Sequence, residues 1–238
     1  MIKEIVQFVH QLPPDVFSKN LHLKEGLYMF FDIEEVNGNP ILKNVDQDGR
    51  IAEDDLKIWT SKSEPSPFFM KCLKIQINTL PVSPQKIFNP DKKIFNSCSP
   101  FALSFTKKNY KKYHKKEELL KTQLRDQYFK TAEKYLLEDH HKSWFYAFKD
   151  FLVERLYDLL INLPEYQEAK DAFSINIFLK KADLSDFIST HSAYLKENVF
   201  NKAKYNVEHN GNFVGISDSL SGFNEKKDFS NTRLDLLT

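Results

Sequence analysis

The sequence predicts an α+β fold in which an antiparallel β-sheet region packs with several long α-helices. Three observations predict it. The first hundred residues carry short β-branched and aromatic runs divided by turn residues. After Lys116 the apolar residues recur at about every fourth position. Of the 238 residues, 41% are hydrophobic, enough to supply a core for both regions. A single domain over residues 1–238 is expected, sheet-rich over 1–106, helix-rich over 107–204, and ending in a hairpin and polar tail over 205–238. The tail stops at Leu234-Asp235-Leu236-Leu237-Thr238 without a closing element, so the chain is expected to be the N-terminal part of a longer protein.

Ile2, Ile5, Val6, Val9 and Leu12 stand at helical spacing and Pro13-Pro14 stops them, which gives an opening amphipathic helix. Leu27 to Val36 reads as a strand, Asn37-Gly38-Asn39 as a hairpin turn, and Ile41 to Val45 as the return strand. A further strand is expected within Ile51 to Trp59. After the loop Ser63-Glu64-Pro65-Ser66-Pro67, the alternation of Leu73, Ile75 and Ile77 with Lys74, Gln76 and Asn78 predicts another. Phe101, Leu103 and Phe105 lie on one face of a half-buried strand.

The helical region follows. Leu120, Leu124, Tyr128, Ala132 and Tyr135 mark one helix, and Trp144, Phe145, Phe148, Phe151, Leu152, Leu156, Leu159 and Leu163 mark a second, ended by Pro164. Phe173, Ile175, Ile177 and Leu179 alternate as a short strand, with Phe178 breaking the pattern. Asp183 is placed to cap a helix that runs through Leu184, Phe187, Ile188, His191, Leu195 and Val199. Tyr205 to Ile216, with Asn210-Gly211 at its middle, predicts a second hairpin.

Cys72 and Cys98 are the only cysteines and form no paired CxxC spacing, which is the usage of a reducing cytosol and argues against a structural zinc site. No apolar run approaches the roughly 20 residues of a membrane span, and Glu4 interrupts anything like a signal peptide. A cytoplasmic protein is expected. GxSxG, HExxH, P-loop and dinucleotide glycine patterns are absent from the sequence, so no enzyme, catalytic residue, cofactor or metal is expected.

The stretch from Asn44 to Asp55 carries oxygen donors and a glycine at the spacing of an EF-hand calcium loop. Asp55 replaces the bidentate glutamate and the flanks read as strands, so an acidic Asp-Gly hairpin turn is favoured. The same carboxylates, Asp46, Asp48, Asp54 and Asp55, leave a magnesium-dependent nuclease as a third reading. His140-His141, beside Glu138 and Asp139, are placed in a solvated corner between two helices, because adjacent helical residues diverge by about 100°. His191 is read as a satisfied core or edge histidine.

The most informative segment is Lys107 to Lys116, six lysines in ten residues interleaved with Tyr110, Tyr113 and His114. A run this charged is expected to stay unburied, as a loop or helix start leaving the preceding strand. The net charge of +1 does not oppose a local polyanion site, because the field of the patch decides. Ammonium groups neutralise phosphates and aromatic rings stack on unpaired bases, which favours nucleic-acid binding by Lys107, Lys108, Lys111, Lys112, Lys115 and Lys116. Asn96, Ser97, Ser99, Asn109 and Asn224 are candidate hydrogen-bonding residues, and Lys226 and Lys227 a second basic contact. The alternative is a protein-interaction or scaffold module whose lysines meet an acidic protein.

Several segments resemble the large subunit of type I-B CRISPR Cascade surveillance complexes. They are the opening helix, Lys86-Ile87-Phe88-Asn89-Pro90-Asp91-Lys92-Lys93-Ile94 leading into Asn96-Ser97-Cys98-Ser99-Pro100-Phe101, and Gly215-Ile216-Ser217-Asp218 followed by Gly222-Phe223-Asn224-Glu225-Lys226-Lys227-Asp228-Phe229. Family members are longer and tend to carry Lys-Lys-Pro-Phe where this chain has Lys226-Lys227-Asp228-Phe229. The resemblance implies a non-catalytic subunit in antiviral defence that contacts guide RNA and the motif flanking the target DNA (PAM recognition). It further implies binding to other Cascade subunits and presentation of the complex to a recruited nuclease-helicase.

Overall fold

The computed structural model describes residues 23–46, 50–81, 86–88, 94–113 and 116–198, together with the strands at 207–209 and 212–214. The opening helix and the polar tail, including Asn224, Lys226 and Lys227, lie outside the described residues. The fold is α+β. Strand β1 (Gly26–Phe31) is followed by a separate hairpin of β2 (Ile33–Val36) and β3 (Asn39–Leu42). Strands β4 (Leu56–Trp59), β5 (Ala102–Thr106) and β6 (Ser174–Leu179) join β1 in a four-stranded sheet of order β4-β1-β6-β5.

That sheet is mixed, which corrects the antiparallel arrangement expected from the sequence. β1 pairs with β4 antiparallel and with β6 parallel, and β5 pairs with β6 antiparallel. The expected division at residue 106 does not describe it either, because a strand from the helix-rich part fills a central position. A parallel pair needs a long crossover, and here nearly the whole helical region is that crossover.

Every residue of β1 and of β6 is buried. Central strands covered on both faces read as continuous apolar runs, which explains why Phe178 interrupts the alternation. In register, Phe30 and Phe178 share one face with Ala102, while Ile175, Ile177 and Leu103 share the other. The first face meets helix α1 (Pro67–Ile77) through Phe30 and Phe68, whose rings lie 5.5 Å apart. It also meets the last long helix through Phe178 and Phe187, at 6.3 Å. On the opposite face Phe31 packs edge-on against Phe151 at 5.8 Å.

The strand expected at Leu73–Ile77 is part of helix α1. Ser66 caps it by accepting from the Phe69 N–H, Pro67 occupies its first turn, and Phe69, Cys72, Ile75 and Gln76 form its buried face. The local alternation of Leu73, Ile75 and Ile77 is outweighed by a cap, an N-terminal proline and a longer helical period. The expected single strand from Leu27 to Val36 is also divided. Asn44 Oδ1 accepts from the Asp32 N–H, the Asn44 amide donates to Phe30 O, and the chain turns out of the sheet at Asp32. The turn beyond it follows expectation, with Asn37 at φ 50° and Gly38 at φ 76°, the pair of positive angles of a type I′ hairpin.

Helices α2 (Lys107–Lys111), α3 (Glu117–Thr122) and α4 (Lys130–Ala132) come next, with a π-helical segment at Gln123–Phe129 joining the last two. Leu120, Leu124, Tyr128, Ala132 and Tyr135 are all buried, as their spacing predicts. Steps of four residues overshoot an α-helical turn by about 40° each, and the wider π turn takes up that drift. Helix α5 (Asp139–Asn162) is the long second helix. Pro164 ends it and also opens helix α6 (Pro164–Glu168). Asp183 caps helix α7 (Leu184–Asn198), its Oδ1 accepting from the N–H groups of Ser185 and Asp186. Strands β7 (Val207–His209) and β8 (Asn212–Val214) pair antiparallel, as the Asn210-Gly211 signal predicts. Among the described residues no helix is long and apolar enough to cross a membrane.

Candidate nucleic-acid interface

Helix α2 starts directly from the end of β5. The Thr106 hydroxyl accepts from the Asn109 N–H as an N-cap, so strand and helix share a joint with no loop between them. The run is therefore a helix start, and part of it is buried. Lys107 is 3% exposed, and its Nζ donates to Tyr166 O at 2.5 Å, Ala169 O at 2.7 Å and Gln167 O at 2.9 Å. It thereby satisfies the carbonyls at the end of α6, which a helix C-terminus leaves without partners. Burial draws its pKa below the usual lysine range, and Lys111 adds to that shift while Asp171 opposes it. Lys107 is a structural lysine and is withdrawn from the phosphate-binding set.

The tyrosine part of the expectation also changes. Tyr110 is buried and stacks on Phe105 at 4.7 Å, and Tyr113 is half-buried against the core. Tyr110 offers no face to a base. What remains exposed in the run is charge: Lys108, Lys111, Lys112 and Lys116, with Asn109 half-buried. Lys111 pairs with Asp171 at 2.8 Å, both side chains about half exposed, a geometry that contributes little to stability and is open to exchange. Lys115 lies outside the described residues.

The sheet brings further lysines to this end. Thr106 and Gly26 both stand opposite Ser174, so β5 ends where β1 and β6 begin. The Lys108 N–H donates to Asp171 O, the Ser174 N–H to Glu25 O, and the Ser61 N–H to Glu25 Oε1. Exposed Lys170 is thus carried on the loop next to α2, while exposed Lys24 and Lys62 stand at the same end of the sheet, Lys62 beyond β4 at the edge opposite β5. Acids at this end include Glu25, Glu117, Glu118, Asp158, Glu168 and Asp171. Three of them are engaged, Asp171 by Lys111, Glu117 by Lys121 and Glu25 by the Ser61 N–H. Lys24, Lys62 and Lys170 were not legible along the sequence, because only the strand register places them at the same end of the sheet as residues 108–116.

The turn upstream of the strand has a different role from the one expected. Ser97 and Ser99 are buried. The Ser104 N–H donates to Ser97 Oγ at 3.0 Å, Ser97 Oγ and Tyr128 Oη lie 2.6 Å apart, and Tyr128 Oη donates to Ala102 O at 2.5 Å. Ser99 Oγ accepts from the Phe101 N–H. The Ser97 hydroxyl ties the turn to the π-helical segment and the Ser99 hydroxyl closes the turn on itself, and both residues are buried. They are withdrawn as nucleic-acid contacts. Asn96 is half-buried, with its backbone N–H given to Ser104 O.

The remaining candidates separate clearly. Around the Asn44–Asp55 loop, Val45 bridges Ile51 antiparallel and the Asp46 N–H donates to Arg50 O, so the flanks pair as those of a hairpin, while the Asp48-Gly49 turn favoured from the sequence lies outside the described residues. Asp55 is buried, and its Oδ2 accepts from Asn44 Nδ2 and Lys180 Nζ, so Asp55 holds the fold together. His191 donates to Leu80 O and stacks on Tyr194, the satisfied edge histidine expected. The corner at Glu138 to His141 departs from expectation, since His141 is 1% exposed beneath Phe101.

The chain has no significant match among protein-family models, curated proteins or solved structures.

Proposed function

We propose that the protein binds nucleic acid through the lysine-bearing end of its sheet, as a non-catalytic subunit of a larger assembly in the cytoplasm. The observation that carries this reading is the exposure of Lys108, Lys111, Lys112 and Lys116 at the β5–α2 joint, on the same end of the sheet as exposed Lys24, Lys62 and Lys170. Such a cluster attracts phosphates by charge and releases their counterions, giving contact along a backbone with little choice of sequence. Cys72 and Cys98 are buried and not joined to each other, which suits a reducing compartment. Guide RNA and target-flanking DNA as the nucleic acids, and Cascade subunits with a nuclease-helicase as the partners, rest on the resemblance of the segments quoted above. Of these, only the Asn96–Phe101 turn is described throughout, and its hydroxyls serve the fold.

Burial of Tyr110 favours a second reading. Among the described residues of the run Tyr113 is half-buried and no ring is fully exposed, so the surface offers mainly charge, and charge equally suits an acidic protein. Fluorescence anisotropy with a short single-stranded RNA, a DNA duplex and polyglutamate separates the two. Binding to RNA or duplex at a salt where polyglutamate stays free supports nucleic acid as the ligand. Binding to polyglutamate without binding to either nucleic acid overturns it in favour of an acidic partner.

A further inference from the structure

At the start of α5 three metal-ligating side chains meet. One donor atom each from Glu138, His140 and His141 lies within 4.8 Å of the others. Glu138 and His140 are exposed, with Glu138 Oε2 3.0 Å from His140 Nδ1. His141 is buried, and its ring centroid lies 4.2 Å from that of His140. The divergence of about 100° between neighbouring helical residues is thus overcome in the first turn, where Glu138 still has extended backbone.

The second observation is the state of the buried ring. His141 Nε2 lies 2.9 Å from Asp186 Oδ1. A carboxylate can only accept, so Nε2 carries a proton, and in the neutral ring Nδ1 presents a lone pair. That Nδ1 is buried and has no hydrogen-bond partner. Buried polar atoms are almost always paired, and an orphan lone pair beside an imidazole and a carboxylate is what a metal ion would satisfy. Asp186 then fixes ring orientation and tautomer from the far side, the arrangement found behind metal-bound histidines. Asp186 is itself held, because its Oδ2 accepts from the Asp183 N–H.

We propose that Glu138, His140 and His141 form a binding site for a divalent transition metal of the zinc class, with Asp186 orienting His141. Imidazole and carboxylate are the donors such ions take, and three protein ligands leave a fourth position open to water or a substrate. Donor–metal distances near 2.0–2.2 Å require the three groups to close slightly. The two exposed side chains are free to make that movement while His141 stays fixed. The positive end of the α5 dipole opposes a cation, and the carboxylates of Glu138 and Asp139 offset it.

The test is calorimetric titration of the metal-free protein with zinc chloride, followed by the d–d absorption of the cobalt-substituted protein. One equivalent should bind, with cobalt bands of tetrahedral intensity. His140→Ala and Glu138→Gln, both on exposed side chains and outside the core, should each weaken zinc binding at least about tenfold while circular dichroism stays unchanged. Asp186→Asn should weaken it by about 10- to 100-fold, the usual effect of removing the group behind a ligating histidine. Absence of zinc binding, or an affinity unchanged in either His140→Ala or Glu138→Gln, overturns the assignment.

Discussion

The Lys107 ammonium sits over the ring of Tyr166, 4.9 Å from its centroid, with three carbonyl oxygens around it. Its neighbours Lys108, Lys111 and Lys112 are exposed. Identical residue types one position apart thus do opposite work, and substitution separates them. Lys107→Met keeps the apolar stem but leaves buried carbonyls without a donor, and is expected to cost about 3 kcal/mol in urea unfolding while leaving nucleic-acid binding by the folded protein unchanged. A stability equal to wild type would show that the lysine is not the cap described. Asp183 supplies a second residue-scale prediction. The Ser185 side chain lowers its pKa most, followed by the Asp186 N–H. A carboxylate with a depressed folded pKa stabilises fully above its unfolded value and loses that contribution as pH falls through the folded one. Asp183→Ala should therefore cost about 1 kcal/mol at neutral pH, and the gap to wild type in thermal melts should close below pH about 4.

At the scale of elements, the tightest joint is between β1 and β6. A Cβ built on Gly26 would lie 2.0 Å from Ser174 O. Backbone on both sides leaves nothing to yield, so Gly26→Ala is expected to destabilise by about 3 kcal/mol or more, read by chemical denaturation; a loss below about 1 kcal/mol would contradict the register given for this pair. The same elements show what a one-dimensional pattern carries. Caps, turn residues and helical spacing are local, so the hairpin at Asn37-Gly38, the buried series from Leu120 to Tyr135 and the Asp183 cap were all legible. β6 as a strand was legible, but its place beside β1 was not, because partner choice across almost 150 residues leaves no local mark. Helix α1 was misread because a window of six residues at Leu73–Asn78 alternates by chance, while its cap and half of its buried face, Phe69 and Cys72, lie upstream. The lysine run showed where charge accumulates. It could not show that Lys107 and Tyr110 turn inward, since that depends on α6 and β6 arriving on top of them.

For the whole molecule, the mixed sheet is covered by helices on both faces and along β5 by the segment at Phe95-Asn96, and its ends are left for contact. The end where β5 gives way to α2 gathers lysines from four separate parts of the chain, which is the basis for proposing a polyanion surface there. The corner at Glu138 to His141 is built from α5 and α7 and is chemically independent of that surface, so the metal and nucleic-acid proposals stand or fall separately.

The central claim is tested most directly by the salt dependence of binding to single-stranded RNA. Wild type is compared with a variant carrying Lys108→Ala, Lys111→Ala, Lys112→Ala and Lys116→Ala, all at exposed positions. Each phosphate contact on a single strand contributes about 0.7 to the slope of log affinity against log salt. If all four lysines meet phosphates, the slope should fall by about 3, with the melting temperature held within a few degrees of wild type. A slope unchanged between the two proteins, in a variant that remains folded, would contradict the account.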